Sequence, residues 1–353
     1  MKKILLLVLI CFLAMGCSFK KHSKVDTVKE GIDVLPVMSS ESDYENRIWV
    51  GTFQLVWNDL MDELIKGPVE FYGDTPEVVR LLNQQNFKTD YLSENSFYKK
   101  SGKVSPALRK EIENAIKEKF NETSDILKNL DWKPEKGKYL FYAMLKKDFK
   151  FLKAFDKLDM EKFGSTDEKV QYFGINGKTD EEVHNNVRVL FFNSDSDFAV
   201  KLVTQGNDYV YLYRTDDNKN FEQFYDDMNS KSIKYSGDKY FAEKDRFKVP
   251  DIKLYQNKSF KEVCNKQIKN TDLEISDAIE TIDFKMNNEG VKLKSEAAIM
   301  TRCTAMPPEF QKPPRYFYFT DKFVLFLQEK DKSKPYFALR VSNVSEINKT
   351  GKN

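Results

Sequence analysis

The stretch 290–309 reads GVKLKSEAAIMTRCTAMPPE. Val291, Leu293, Ser295, Ala297 and Ile299 fall on one set of alternate positions; Lys292, Lys294 and Glu296 fall on the other. Side chains along a strand point to opposite faces with a period of two, so this is the pattern of a strand with one buried face. Counted onward, the first set takes in Thr301 and Cys303. Every charged residue between Gly290 and Pro307 (Lys292, Lys294, Glu296, Arg302) lies on the other set. Yet the stretch runs into Met306-Pro307-Pro308 with no turn signal closing a hairpin, and no neighbouring run offers itself as a partner. A strand pattern is written into what reads as a long connecting loop.

Upstream of this stretch the chain changes character about midway. In TFQLVWNDLMDELIKGP (52–68), Phe53, Val56, Trp57, Leu60 and Leu64 share one helical face, and Gly67-Pro68 stops the helix. Thr75-Pro76 and Ser105-Pro106 each place a capping residue before a proline and open two more helices. Leu108, Ile112, Ala115 and Ile116 make the stripe of the second of these. After Lys138 the runs become strand-like: KYLFYAML, VQYFGI, VRVLFF, FAVKLV and DYVYLYR, with Asn207-Asp208 after Gly206 marking a tight hairpin. A short helix around NFEQFYDDMN follows, then further strands, and FVLFLQ and YFALRV close the chain as a hairpin through Asp331 to Pro335. A mainly helical first half followed by antiparallel strands predicts an α+β domain.

The N-terminus, MKKILLLVLICFLAMGC, places Lys2 and Lys3 before an apolar run too short for a comfortable membrane span, which fits a signal peptide. The small residue before Cys17 is similar to a bacterial lipobox. That likeness implies removal of residues 1–16, a lipid on Cys17 and export to the cell membrane or envelope surface; an ordinary signal peptide cut nearby is the alternative. Residues 17–45 read as the lipidated cysteine and a flexible, polar tether, and 46–353 as one domain. Loss of Lys2 and Lys3 takes Lys plus Arg from 57 to 55, equal to the 55 Asp plus Glu. A neutral chain gives no electrostatic case for nucleic acid. Beyond Cys11 and Cys17 only Cys264 and Cys303 remain, and two unpaired thiols are expected.

The chain lacks a familiar catalytic set. His22 lies in the tether, and His184 has no Cys or His at metal spacing and reads as a surface turn residue. There is no Gly-x-Ser-x-Gly elbow, glycine-rich phosphate loop or Cys-x-x-Cys. The expectation is a protein that is not an enzyme and needs no metal or cofactor.

The C-terminal third resembles the serpin family. ISDAIETIDFKMNNEG (275–290) is similar to the family's run into its hinge, MPPEF (306–310) to the segment after its reactive loop, and DKFVLFLQEKDKSKPYFALRV (321–341) to its C-terminal hairpin. FKVPDIKLYQNKSFKEV (247–263) is similar to the segment upstream, and weaker likeness reaches back to about residue 105. The interval from Gly290 to Pro307-Pro308-Glu309 has the spacing of a full-length reactive loop. The resemblance implies a serpin-like α+β fold with an exposed reactive-centre loop that serves as protease bait and, once cut, folds back as a strand inside a sheet. That explains the alternation: a segment that must become a central strand needs an uncharged face.

On this resemblance Glu289, Gly290, Val291, Leu293, Ser295 and Ala297 form the hinge. The scissile bond falls at Thr304–Ala305, with Arg302–Cys303 as runner-up. The implied function is suicide inhibition of a serine or cysteine protease by a monomer held to the membrane by its N-terminal lipid. The alternative is a non-inhibitory surface lipoprotein that binds or scaffolds. Departures bear on that choice. Inhibitory members usually carry a small hydroxyl residue and then alanines where this chain has Val291 and Leu293. Tyr142 stands at a position usually held by a buried Asn, and Phe151 at one held by Trp.

Overall fold

In the computed structural model of the protein, residues 29–293, 313–345, 347 and 348 are described. The largest sheet has seven strands: β1 (Lys29–Leu35), β2 (Tyr44–Val50), β8 (Val187–Ser194), β9 (Asp197–Val203), β10 (Asp208–Arg214), β16 (Phe323–Glu329) and β17 (Phe337–Val341). Their spatial order is β1-β2-β17-β16-β10-β9-β8. The C-terminal hairpin β16–β17 is central, and every residue of both strands is buried. That is why FVLFLQ and FALRV are almost continuously apolar instead of alternating. A four-stranded sheet, ordered β15-β11-β7-β6, contains β6 (Asp156–Lys162), β7 (Lys169–Ile175), β11 (Arg246–Pro250) and β15 (Tyr316–Tyr318).

The remaining strands form a split layer. β3 (Phe97–Lys103) pairs antiparallel with β4 (Tyr139–Leu145). After the single residue Lys146, the chain continues as β5 (Lys147–Lys150). β5 belongs to a second four-stranded sheet, β12-β13-β14-β5, with β12 (Ile252–Ser259), β13 (Ile279–Met286) and β14 (Gly290–Leu293). β14 is antiparallel to both neighbours, so β13 and β5 run parallel to each other. At one end β14 joins them. At the other, the edges of β4 and of β13 from Ile279 to Phe284 have no strand partner among the described residues.

Helices cover this layer on both sides. α1 (Thr52–Asp59) continues into a π-helical segment, Leu60–Ile65, and ends at Lys66 in the left-handed conformation. Its apolar side forms the inner floor beneath β4 and β13. α2 (Glu77–Leu82) packs beside α1 through Val79 and Leu82, and Gln54 on α1 donates to the Leu82 carbonyl at 2.8 Å. α3 (Pro106–Phe120) starts at Ser105, whose hydroxyl accepts from the Leu108 N–H at 3.1 Å. Its Leu108, Ile112, Ile116 and Phe120 form a separate apolar cluster with Tyr142 on the outer face of β4. α4 (Glu181–His184) is a single turn; α5 (Phe221–Lys234) carries a capping box between Asn220 and Gln223 and buries Phe224 and Met228.

The three helices expected in the first half are present, but seven strands are interleaved with them before residue 176. Part of the stretch expected as a tether over 17–45 is folded. β1 begins at Lys29 and pairs parallel with β2, and Val34, Leu35 and Val37 are buried. The folded unit therefore takes in residues 29–45 as well as 46 onward, because a strand that adds to a sheet edge needs only a few apolar residues on the covered side. No helix of the described residues is long and apolar enough to cross a membrane.

Candidate functional site: a cleft between two sheet edges

The turn from β13 into β14 is built by Asn287-Asn288-Glu289-Gly290. The Asn287 N–H donates to the Gly290 carbonyl at 3.0 Å, and its side-chain oxygen accepts from the Glu289 N–H at 3.0 Å and the Gly290 N–H at 3.3 Å. Across the turn, the Phe151 N–H donates to the Glu289 carbonyl at 2.9 Å and the Phe155 N–H to the Asn288 carbonyl at 2.8 Å. Glu289 is exposed and Gly290 is buried. A Cβ on Gly290 would lie 2.2 Å from the Phe149 carbonyl oxygen and 2.7 Å from the Lys150 Cα. Both are backbone atoms, so the strands must part to admit it. Gly290→Ala is expected to cost about 1–3 kcal/mol, read as a lower denaturant midpoint; an unchanged midpoint would contradict this packing.

Beyond the turn, Val291 faces Met286 and Phe149, and is fully buried with them in the core. Lys292 is exposed. Leu293 pairs with Lys147 through its backbone. The stretch that reads as a loop thus begins as a short central strand. Its partner β5 lies about 140 residues earlier in the chain and was missing from the local pattern. Ser295, Ala297, Arg302, Cys303, Thr304 and Ala305 lie outside the described residues, as do Cys17 and His22.

Past β14 the two edges diverge around a cleft of about 840 Å³. Tyr139 to Lys146 form one wall and Ser276 to Asp283 the other, and Phe53, Val56, Trp57, Leu60 and Leu64 line its floor. On the β13 wall stands Glu280, buried on the same side of the strand as Ile282, Phe284 and Met286. Its Oε1 accepts from the Thr52 hydroxyl at 2.6 Å, whereas Oε2 is buried with no hydrogen-bond partner among the described residues. Burial pushes its carboxyl from the usual 4.5 up to about 8, against the pull of Thr52 and the Phe53 N–H. Between those values the folded chain holds a proton that the unfolded chain has released. Stability therefore falls as pH rises from about 4.5 to about 8. Glu280→Gln is expected to remove that slope and to be more stable than the parent at pH 9 by on the order of 3 kcal/mol; matching pH profiles for the two proteins would refute it.

Beneath β14 lies a buried ionic network. Lys147 Nζ contacts Glu329 Oε1 at 2.5 Å and Asp208 Oδ1 at 3.0 Å. Glu329 also accepts from the Ser93 N–H and hydroxyl and from the Ser96 hydroxyl, and Asp208 accepts from the Tyr336 hydroxyl at 2.9 Å. Burial favours the neutral form of Glu329, but Lys147 and the Ser93 donors outweigh it and hold the carboxyl below its usual range. At Asp208 burial prevails and the shift is upward.

Other expectations resolve differently. His184 is half-buried against Phe241, with ring centroids 5.6 Å apart, and burial lowers its pKa. Cys264 is a free thiol, while Cys303 lies outside the described residues. Phe151 is fully buried and packs edge-on to Phe155. Tyr142, which stands where the resemblance places a buried Asn, is itself buried and packs under α3, and burial pushes its hydroxyl up to about 12. Among the described residues no cluster of His, Cys, Asp or Glu is arranged to hold a metal ion. Sequence reasoning missed Glu280 although its parity was legible: it occupies the inward set of β13, with Ile282, Phe284 and Met286.

No protein-family model matches the chain, and no curated protein matches it by sequence. Solved structures do. The mouse protein-Z dependent protease inhibitor superposes with a TM-score of 0.50 at 14% identity, over 84% of this chain and 91% of that one. A tumour suppressing serpin superposes with a TM-score of 0.50 at 11% identity, over 84% and 92%. The protein has the serpin fold. In its sheet, β14 lies between the parallel strands β13 and β5 and is antiparallel to both. The segment from 294 to 315 leads from that sheet to β15 in another.

Proposed function

We propose that this serpin-fold chain is a suicide inhibitor of a serine or cysteine protease. The observation that carries the reading is the cleft between two parallel strand edges that have no partner among the described residues, with β14 between the strands at one end. Extending the β14 register would set Ser295 between Ile282 and Leu145, Ala297 between Glu280 and Ala143, and Ile299 between Ala278 and Phe141. Each would fall on the side where Val291 is buried, which is the uncharged set of the opening stretch.

In this reading the protease supplies the nucleophile. Its serine or cysteine attacks the Thr304 carbonyl, the bond to Ala305 breaks, and the amine of Ala305 leaves with a proton. Thr304 stays esterified or thioesterified to the enzyme. Insertion of the segment after Leu293 then competes with hydrolysis of that acyl bond. Incubation with a panel of serine and cysteine proteases should give a complex that survives denaturing electrophoresis, with the new C-terminus at Thr304 by mass, or at Arg302 for a trypsin-like enzyme. Cleavage without any such complex would leave the second reading, a non-inhibitory binding protein. That reading draws on Val291 and Leu293, which stand where the resemblance expects small residues.

Ser295→Arg separates insertion from folding. A charge without a partner in a closed sheet is costly, and arginine does not shed its proton. The variant should lose covalent trapping while its denaturant midpoint stays within about 0.5 kcal/mol of the parent, as for an ordinary surface change. Undiminished trapping would overturn the assigned face. The protein is further proposed to act as a monomer anchored at the envelope through lipid on Cys17. Cys17→Ser should move it from the membrane to the soluble fraction; retention with undiminished acyl label would refute the anchor.

A further inference from the structure

We propose that the cleft between β4 and β13 is also a binding site for an elongated, neutral, apolar molecule bearing one carbonyl oxygen, which Glu280 recognises by donating a hydrogen bond. The volume, about 840 Å³, suits a small organic ligand. The floor is aliphatic and aromatic, from α1, and offers little to a polar molecule. One group breaks that pattern: Glu280 is 4% exposed, and its Oε2 has no partner among the described residues.

The chemistry of the ligand follows from how Glu280 is held. Oε1 is engaged as an acceptor by Thr52, so the acid proton belongs on Oε2. The carboxyl keeps that proton at neutral pH because burial raises its pKa to about 8. Facing groups supply no cation to reverse this. From α1 come only the Thr52 hydroxyl and the Phe53 N–H; Lys258, its cross-strand neighbour on β12, is turned to Asp33 at 3.2 Å; Ala143 on β4 lines the same cleft. A neutral carboxyl with a free O–H is a donor that wants an acceptor. A carbonyl meets it without desolvating a charge, whereas an ammonium ion would first require the acid to ionise.

The site does not rest on the inhibitory reading, since it is complete in the uncut chain. The test uses prodan, a neutral naphthalene ketone whose emission shifts to the red when its carbonyl accepts a hydrogen bond. Uncut protein at pH 6.5 should bind it saturably with emission to the red of that in hydrocarbon, and affinity should fall at least threefold between pH 7 and 9.5. Glu280→Gln keeps an N–H donor and cannot ionise, so it should bind with the same red shift and without the pH dependence. Glu280→Leu should bind, if folded by circular dichroism, with hydrocarbon-like emission. Dodecan-2-one should compete and dodecylamine should not. Failure of saturable binding, loss of the red shift in Glu280→Gln, or preferential competition by the amine would each overturn the proposal. Prodan binding that persists after cleavage at the loop would count against loop insertion and leave the ligand site standing.

Discussion

Cleavage of the intact protein between Met300 and Met306 is expected to raise its melting temperature by about 10 °C or more. A nick in an ordinary loop does the opposite or nothing. Here the free end after Leu293 could continue the register that β14 begins, between the edge of β13 and the edge of β4. Each new ladder hydrogen bond contributes on the order of 1 kcal/mol, and burial of Ile299 adds about 1.5–3 kcal/mol. The uncut chain would then be held by a barrier above its most stable state. Limited proteolysis, mass mapping of the cut and melting curves before and after are sufficient. A cut in this interval with an unchanged or lower melting temperature would exclude insertion, leaving the serpin fold intact and the non-inhibitory reading in force.

The second large effect is expected at Lys147. Its ammonium group is the cation between Glu329 and Asp208, and all three side chains are buried. Lys147→Met leaves two carboxyl groups facing each other out of water. Breaking a buried pair in this way costs about 3–5 kcal/mol, a drop of about 5–8 °C in melting temperature for a chain of this size. Lys147→Met combined with Glu329→Gln should recover part of the loss, because the two changes act on one network and are not additive. Equal stability of Lys147→Met and the parent would show that the network contributes nothing. The position has a second interest: Lys147 is the register partner of Leu293, so the network sits on the strand that pairs with β14.

How far the fold was legible can be seen at three elements. α3 was readable because its signals are local: the Ser105-Pro106 start and the stripe of Leu108, Ile112 and Ile116 all lie within one element. β14 was half readable. Alternation revealed a strand with a buried side, but its pairing with β5 is a contact across the chain that no window of sequence contains. β1 was not readable, because KEGIDVL sits in a charged stretch and takes its structure from the edge of β2. The site divides in the same way. Val291 was singled out by alternation and Gly290 by the resemblance to the serpin hinge, and the structure gives them burial and close backbone approach. The cleft and the buried network were beyond reach, since each is made where distant segments meet.

β1 also has a mechanical consequence. It is the outermost strand of its sheet and runs parallel to β2, with Ile32 to Leu35 in register with Asn46 to Trp49. Any pull transmitted through the residues before Lys29 arrives at the leading end of this strand. Directed along the strand axis, such a force loads the rungs between β1 and β2 together, in shear; directed across it, the force peels them one at a time. A chain tethered in flow and tugged along β1 should therefore hold its edge at loads that would unzip the same contacts from the side. Force spectroscopy with handles at residue 29 and at a surface site on either axis would distinguish the two geometries.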